Sequence, residues 1–278
     1  MLLHRDFRQV NDSVILNDMT KIDRFAEVIR GEFPDDRLTF QKSIATFHPD
    51  SAEEAACLFR LANAHSQPLY ITGFGNNIDP IGEPFTSMLT VRTDRLNDLL
   101  AVQPEDFYVK VGAGYPLREL NTDLEPHGLF CPLADLPYVG SIGGAVAVNL
   151  SGQLGAHALP IKRYLIRAEV VLPEGSLVTP GSVCFKSVSG YDVVKLFAPS
   201  WGILGLVVSA TLRVLPLSAK SEYTGLKLNA IDRNNFLAGL DAQNQDTDAV
   251  YSRKIKQKLD PNNILPIIQS ANFAAVTK

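Results

Sequence analysis

An apolar, strand-like tetrapeptide, Leu69 to Thr72, runs directly into Gly73-Phe74-Gly75-Asn76-Asn77. Two glycines so placed let the backbone turn with consecutive N–H groups facing one point, a geometry that suits a phosphate. Asn76 and Asn77 add side-chain amides and tolerate positive φ. The loop fits neither the Walker pattern, since no Gly-Lys-Ser/Thr follows, nor a GxGxxG opening a long helix. Taken alone, a surface turn accounts for it equally well.

The approach to the loop reads as a helix delivering the chain into a strand. His48-Pro49-Asp50-Ser51 starts the helix, with Ser51 as cap, Glu54 at the capping-box position, and Ala55, Leu58, Phe59 and Ala62 as one apolar face. Ser66-Gln67-Pro68 then breaks it before the strand. A second segment of small residues, Ser141 to Gly152 (SIGGAVAVNLSG), carries no charge. A helix beginning near Ser141 would offer free N–H groups and a positive dipole end to phosphate, and Gly143-Gly144 removes the side-chain barrier. Close packing of that helix in an apolar core is the equal alternative.

Elsewhere the pattern is α+β. Residues 1–45 read as an opening pair of helical segments, with Ile22, Phe25, Ala26 and Ile29 at helical spacing and a break at Pro34-Asp35-Asp36. Strands are expected at Met88 to Val91, Leu99 to Val102 and Tyr108 to Gly112, then a helix from Pro116 to about Glu125. Ala168 to Leu172 and Ser176 to Thr179 form a hairpin about Glu174-Gly175, and Leu204 to Val214 adds a strand. Past Pro216 the residues turn polar, with a strand-like Tyr223 to Leu228 and a helix near Phe236.

Composition excludes several classes. A hydrophobic content of 46% is that of a folded globular chain, and 26 basic against 30 acidic residues, with no basic stripe, argues against nucleic acid. The longest apolar runs, Gly143 to Leu150 and Ile203 to Ala210, fall short of a membrane span. The N-terminus mixes charges among its apolar residues and does not read as a signal peptide, which predicts a cytoplasmic protein. Cys57, Cys131 and Cys184 are far apart and odd in number, so neither a disulfide framework nor a metal site is expected.

Taken together, the ordered segments HPDSAEEAACLFRLANAHSQPLYITGFGNN, PLADLPYVGSIGGAVAVNLSG and FKSVSGYDVVKLFAPSWGILGLVVSATLRVLP, closed by IKQKLDPNNIL, carry a resemblance. They resemble the vanillyl-alcohol oxidase and p-cresol methylhydroxylase type of FAD-binding domain, especially its glycolate oxidase and D-lactate dehydrogenase branch. The resemblance implies a bipartite FAD-binding domain of two α+β subdomains with the cofactor between them and a reduced or absent cap. The implied division is a helical arm over 1–45, the FAD domain over 46–216 (about 46–110 and 111–216), a vestigial cap over 217–250 and a closing segment over 251–278.

In residue terms the resemblance implies that Thr72, Gly73, Phe74, Gly75, Asn76, Asn77 and Ile78 grip the pyrophosphate. Pro132, Leu133, Tyr138, Gly140, Ser141, Gly143 and Gly144 line the flavin or its diphosphate. Asn149, Ser151 and Gly152 follow along the flavin and ribityl, Val170 offers a backbone contact on the adenine side, and Tyr191 and Asp192 lie near the ring. Covalent relatives often carry a histidine in the loop; this chain has Phe74, Asn76 and Asn77 there, which implies non-covalent FAD. Trp201, where catalytic relatives often carry glutamate, resembles the companion-subunit branch and reads as a core aromatic.

In a 2-hydroxy acid dehydrogenase a base takes the hydroxyl proton while hydride moves to the flavin, and a cation holds the carboxylate. The stretch from Leu217 to Val250 contains no histidine and is too short to bury its own core. Of the five histidines only His157 falls in a flavin-proximal loop, and Lys162 and Arg163 read as surface charge. No catalytic residue is assigned. The expected function is therefore an oxidoreductase subunit relaying electrons through FAD to partner subunits, an iron–sulfur protein among them. A non-catalytic assembly module keeping the same fold is the alternative, and an independent small dehydrogenase ranks last.

Overall fold

A computed structural model of the protein describes residues 19–76, 84–183 and 192–268. Asn77, Ile78 and Tyr191, and the third cysteine, Cys184, lie outside the described residues. Cys57 and Cys131 are free thiols, the first half-buried and the second buried. No helix among the described residues is long and apolar enough to cross a membrane.

The chain opens with α1 (Lys21–Glu32), whose Thr20 and Asp23 form a reciprocal capping box and whose Ile22, Phe25, Ala26 and Ile29 face the core. Residues 1–18 of the arm lie outside the described residues, and past this helix the chain makes a 3₁₀ turn, Asp35–Arg37. Residues 38–47 form a hairpin, β1 (Leu38–Gln41) and β2 (Ile44–Phe47), turned at Lys42 and Ser43 with φ of 47° and 67°. After α2 (Ala52–Ala64), strands β3 (Leu69–Thr72) and β4 (Leu89–Arg92) run parallel, giving a four-stranded sheet of order β1-β2-β4-β3. Ser51 caps α2 by accepting from the Glu54 N–H at 3.1 Å. Glu54 does not close the expected box: its carboxylate takes the Asp50 N–H and the Arg37 guanidinium instead.

The second sheet is built from β5 (Leu99–Gln103) and β6 (Tyr108–Gly112), then, beyond α3 (Leu120–Leu124), β7 (Leu129–Phe130), α4 (Ile142–Ala147), β8 (Ser151–Leu154) and β9 (His157–Pro160), from β10 (Leu165–Val171), β11 (Leu177–Val178) and β12 (Leu206–Arg213). Its order is β11-β10-β12-β6-β5. The change of sheet thus falls between Arg92 and Leu99, whereas a division near residue 110 would cut β6. The helix expected from Pro116 is the five-residue α3 flanked by 3₁₀ turns, ended by Gly128 at φ 68°. The β10–β11 turn has Gly175 at φ 87°, as Glu174-Gly175 suggests.

β12 explains the apolar run that begins at Ile203. Leu206 and Val208 enter the first core, with Phe47, Leu58, Phe59 and Leu89, while Val207, Ala210 and Leu212 enter the second, with Val111, Leu133 and Ile142. A strand buried on both faces has no polar side to alternate with. Residues 217–228 form a 3₁₀ stretch (Leu217–Tyr223) and only a two-residue strand, β14 (Lys227–Leu228), after the equally short β13 (Leu215–Pro216). Then come α5 (Arg233–Ala238) and α6 (Thr247–Leu259). Leu226, Leu228, Ile231, Phe236, Ile255 and Leu259 pack on the second core.

The closing segment returns to the first core. Ile264 and Leu265 are buried there, the Leu69 N–H donates to the Ile264 carbonyl at 2.7 Å, and Asp260 accepts from the N–H groups of Ile264 and Leu265. Lys256 pairs with Asp260 and donates to the Leu265 carbonyl.

Candidate functional site

A groove opens where β3 and β4 end beside α4 and the start of β12. Its space, open mouth included, is ≈ 740 Å³. One wall is the end of β3 and the glycine loop, Tyr70 to Asn76. The facing wall is Tyr138, Gly140, Ser141, Gly143 and Gly144, with Ala147 and Val148 at the far end of α4. Thr93, Ser200 to Gly202 and Gly205 to Val207 complete it.

The two walls are fixed to each other by short contacts. A Cβ built on Gly73 would lie 2.5 Å from Ser141 Oγ, so only glycine lets the loop approach α4 this closely. Asn76 Nδ2 donates to the Val139 carbonyl at 2.9 Å, tying the loop to the segment before α4. At the other end the N–H groups of Ser200 and Trp201 both donate to the Ala147 carbonyl, at 3.0 and 2.9 Å. Trp201, at φ 49°, is half-buried. Its ring lies 6.3 Å from Phe236 and 5.6 Å from the Arg233 guanidinium. Burial lowers the pKa of that guanidinium, which also donates to the Ile268 carbonyl at 2.7 Å.

The hydrogen-bond accounting differs from the sequence expectation. The first N–H groups of α4 were expected to be free for phosphate; they are committed. Ile142 N–H donates to the Tyr115 carbonyl at 2.8 Å, Gly143 N–H to the Ala113 carbonyl at 2.7 Å, and Gly144 N–H to the Ser141 hydroxyl at 3.2 Å. The helix is also only six residues long, so its dipole is slight. The uncommitted donors are in the loop: among the described residues no acceptor takes the N–H groups of Phe74, Gly75 or Asn76. Thr93 Oγ1 is likewise buried without a hydrogen-bond partner.

Of the residues expected to hold a cofactor, Thr72 to Asn76, Tyr138, Gly140, Ser141, Gly143 and Gly144 meet around this groove. The other described ones lie outside the groove lining. Pro132 and Leu133 form a buried 3₁₀ turn in the second core. Asn149, at φ 51°, accepts from the Lys162 N–H, and Ser151 and Gly152 belong to β8, facing Asn229 and Leu226. Val170 is fully buried in β10, registered with Val207 of the groove wall but not itself in the lining.

Thr93, Ala147, Val148, Ser200 to Gly202 and Gly205 to Val207 also line the groove, though none was among the expected cofactor contacts. Trp201 in particular is a groove residue rather than a fully buried core aromatic. Thr93 had a faint signal: it follows β4 as Gly73 follows the parallel β3, with Thr72 and Arg92 in register. His157 is exposed on β9 outside the groove, and Lys162 and Arg163 line a separate depression with Lys195 and Arg213.

Comparison with known proteins defines the class of the fold. Residues 44–181 match the family model of an FAD binding domain. A D-lactate dehydrogenase of Archaeoglobus fulgidus is 24% identical over 209 residues, covering 71% of this chain and 47% of that protein. A D-lactate dehydrogenase of Anaerostipes hadrus is 30% identical over 166 residues, covering 60% and 35%. A glycolate oxidase subunit of Bacillus subtilis is 28% identical over 173 residues, covering 62% and 37%. Among solved structures an alkyldihydroxyacetonephosphate synthase superposes with a TM-score of 0.59 at 20% identity, covering 69% of this chain and 40% of that one.

The chain therefore carries an FAD-binding domain of the p-cresol methylhydroxylase type and is related to FAD-linked D-lactate dehydrogenases and glycolate oxidase. It spans under half the length of these curated relatives. The groove's residues fit the cofactor. They offer loop N–H groups that no described acceptor takes, a close approach of Gly73 to Ser141, a buried hydroxyl without a partner, and a half-buried indole at one end. No carboxylate is among the described lining residues, so nothing there repels a diphosphate.

Proposed function

We propose that this chain holds FAD non-covalently in the groove and works as an oxidoreductase component, passing electrons within a complex whose other subunits handle a 2-hydroxy acid and carry iron–sulfur centres. The single observation that carries this reading is the glycine loop lining the groove, whose Phe74, Gly75 and Asn76 N–H groups meet no acceptor among the described residues. Bound FAD supplies the ring that accepts a hydride and returns electrons. The chain's own residues do the holding: Gly73 to Asn76 face the diphosphate, Ser141 and Tyr138 form the opposite wall, and Trp201 offers a flat face to a ring. Among the described residues the lining holds neither cysteine nor histidine, which supports a non-covalent site. A cytoplasmic location belongs to the same proposal and accords with free thiols at Cys57 and Cys131.

The same lining favours a second reading. Tyr70 and Tyr138 are its only titratable groups among the described residues, so no described carboxylate or imidazole lines it as a base. A module that keeps the flavoprotein fold for assembly, without turnover of its own, would look like this.

Trp201 is the only tryptophan in the chain and lines the groove, so its fluorescence reports on occupancy directly. Titration with FAD should quench it to a 1:1 end point. The yellow colour should survive gel filtration and leave the chain on denaturation. A colourless protein that cannot be reconstituted overturns the reading, and colour that stays with the denatured chain overturns the non-covalent part. Bleaching by glycolate or D-lactate only when a co-purifying partner is present supports the relay role. Reconstitution with no bleaching in either case supports the assembly module.

A further inference from the structure

Two threonine hydroxyls, those of Thr90 and Thr93, are buried without a hydrogen-bond partner, and only Thr93 lines the groove. Thr93 is 3% exposed. A buried hydroxyl with no partner carries a desolvation cost that a satisfied one does not. Valine has nearly the same shape and would carry no such cost, so folding alone gives no reason for the hydroxyl.

The position of that oxygen is also closely fixed. The Thr93 N–H donates to the Thr72 carbonyl at 3.1 Å, and its carbonyl accepts from Leu96 N–H at 2.9 Å. Gly114 packs so tightly against it that a Cβ there would lie 1.9 Å from the Thr93 carbonyl oxygen. Held in this way, Oγ1 lies 4.0 Å from where a Cβ on Gly73 would stand, with Ser141 Oγ 2.5 Å from the same point. Two hydroxyls thus flank the first glycine of the loop. The Ser141 oxygen is already an acceptor for the Gly144 N–H, whereas the Thr93 oxygen has no partner.

We propose that Thr93 donates its hydroxyl hydrogen to a diphosphate oxygen of the bound dinucleotide, completing the anion cradle that the loop N–H groups begin. The inference rests on the FAD reading of the groove and adds to it a side-chain ligand outside both glycine segments. Thr93 is then a binding residue whose hydroxyl is unsatisfied until the ligand arrives. It trades stability of the empty protein for affinity.

That trade gives a signature that a structural role would not. Thr93→Val and Thr93→Ser are compared with wild type for thermal stability without ligand and for affinity toward FAD and toward ADP, the latter read by Trp201 fluorescence or by displacement of FAD. Thr93→Val should be as stable as wild type or more so when empty, yet bind both FAD and ADP about 10-fold more weakly or worse, the loss expected for a hydrogen bond to a charged acceptor. Thr93→Ser should keep affinity within about 3-fold.

Equal binding of both ligands by Thr93→Val and wild type overturns the proposal while leaving the FAD site intact. A loss seen with FAD but not with ADP places the hydroxyl on the flavin half and overturns the diphosphate assignment. A less stable empty Thr93→Val shows a structural hydroxyl and overturns it as well. Wild type that binds neither ligand removes the FAD reading itself, and the proposal with it.

Discussion

Two glycine segments face each other across the groove and use glycine for opposite purposes. In the loop, Gly75 sits at φ 80° with no atom of the described residues within 4 Å of a built Cβ, and no described acceptor takes the neighbouring N–H groups. In α4, Gly143 sits where a Cβ would meet Ala113 Cβ at 2.8 Å and the Ala113 carbonyl at 3.0 Å, and its N–H is spent on that same carbonyl. One segment is open and unsatisfied; the other is closed and complete. Sequence alone makes them look like equivalent phosphate binders; in the structure the N–H groups of α4 are spent within the protein, while those of the loop meet no described acceptor.

Substitutions can break this contrast, and the largest effect belongs to the closed segment. Gly143→Val forces two methyl groups into backbone that is already in contact, with an expected loss of about 3 kcal/mol or more. Thermal unfolding should show a markedly lowered midpoint, and flavin should be lost along with the fold. An intact melting curve with flavin lost would mean that Gly143 faces the ligand after all.

Gly75→Val comes next, and its cost has a different origin. Open space surrounds the position, so the obstacle is the left-handed φ, worth about 1–2 kcal/mol for a β-branched residue. The protein should stay folded while flavin content after gel filtration falls at least about 10-fold, a loss within reach of a few displaced charge-assisted donors. Gly75→Asn, which tolerates positive φ, should lose less. Equal retention in both variants would show that the loop conformation is immaterial to binding.

The smallest effect is that of Ser141→Ala. It removes the hydroxyl that accepts from the Gly144 N–H, at about 1 kcal/mol, and should lower the melting midpoint by a few degrees. FAD affinity should move less than in Thr93→Val. A larger affinity loss at Ser141 than at Thr93 would reverse which hydroxyl touches the ligand.

Much of the fold was legible because its signals are local. The Ser51 cap, the apolar face of α2, the Glu174-Gly175 turn and the loop after β3 each follow from neighbouring residues. What escaped depends on distant partners. Glu54 is drawn from its capping box by Arg37, 17 residues away, which no local pattern announces. The β1–β2 hairpin turns on Lys42-Ser43, a pair without the glycine or asparagine that usually marks such a turn. The N–H groups of α4 are consumed by carbonyls of Ala113 and Tyr115, and Thr93 acquires its place only through the parallel register of β3 with β4. Motif reading found the two walls of the groove, but not which of them had donors to spare.

The return of Ile264 and Leu265 to the first core has a consequence during synthesis. Leu69 receives its partner carbonyl from Ile264, 264 − 69 = 195 residues later, and Leu206 and Val208 also arrive after most of the chain has been made. At about 5–20 residues per second, that is an interval of about 10–40 s. Throughout it the first core, Phe47 and Phe59 included, lacks the late-arriving side chains that complete it.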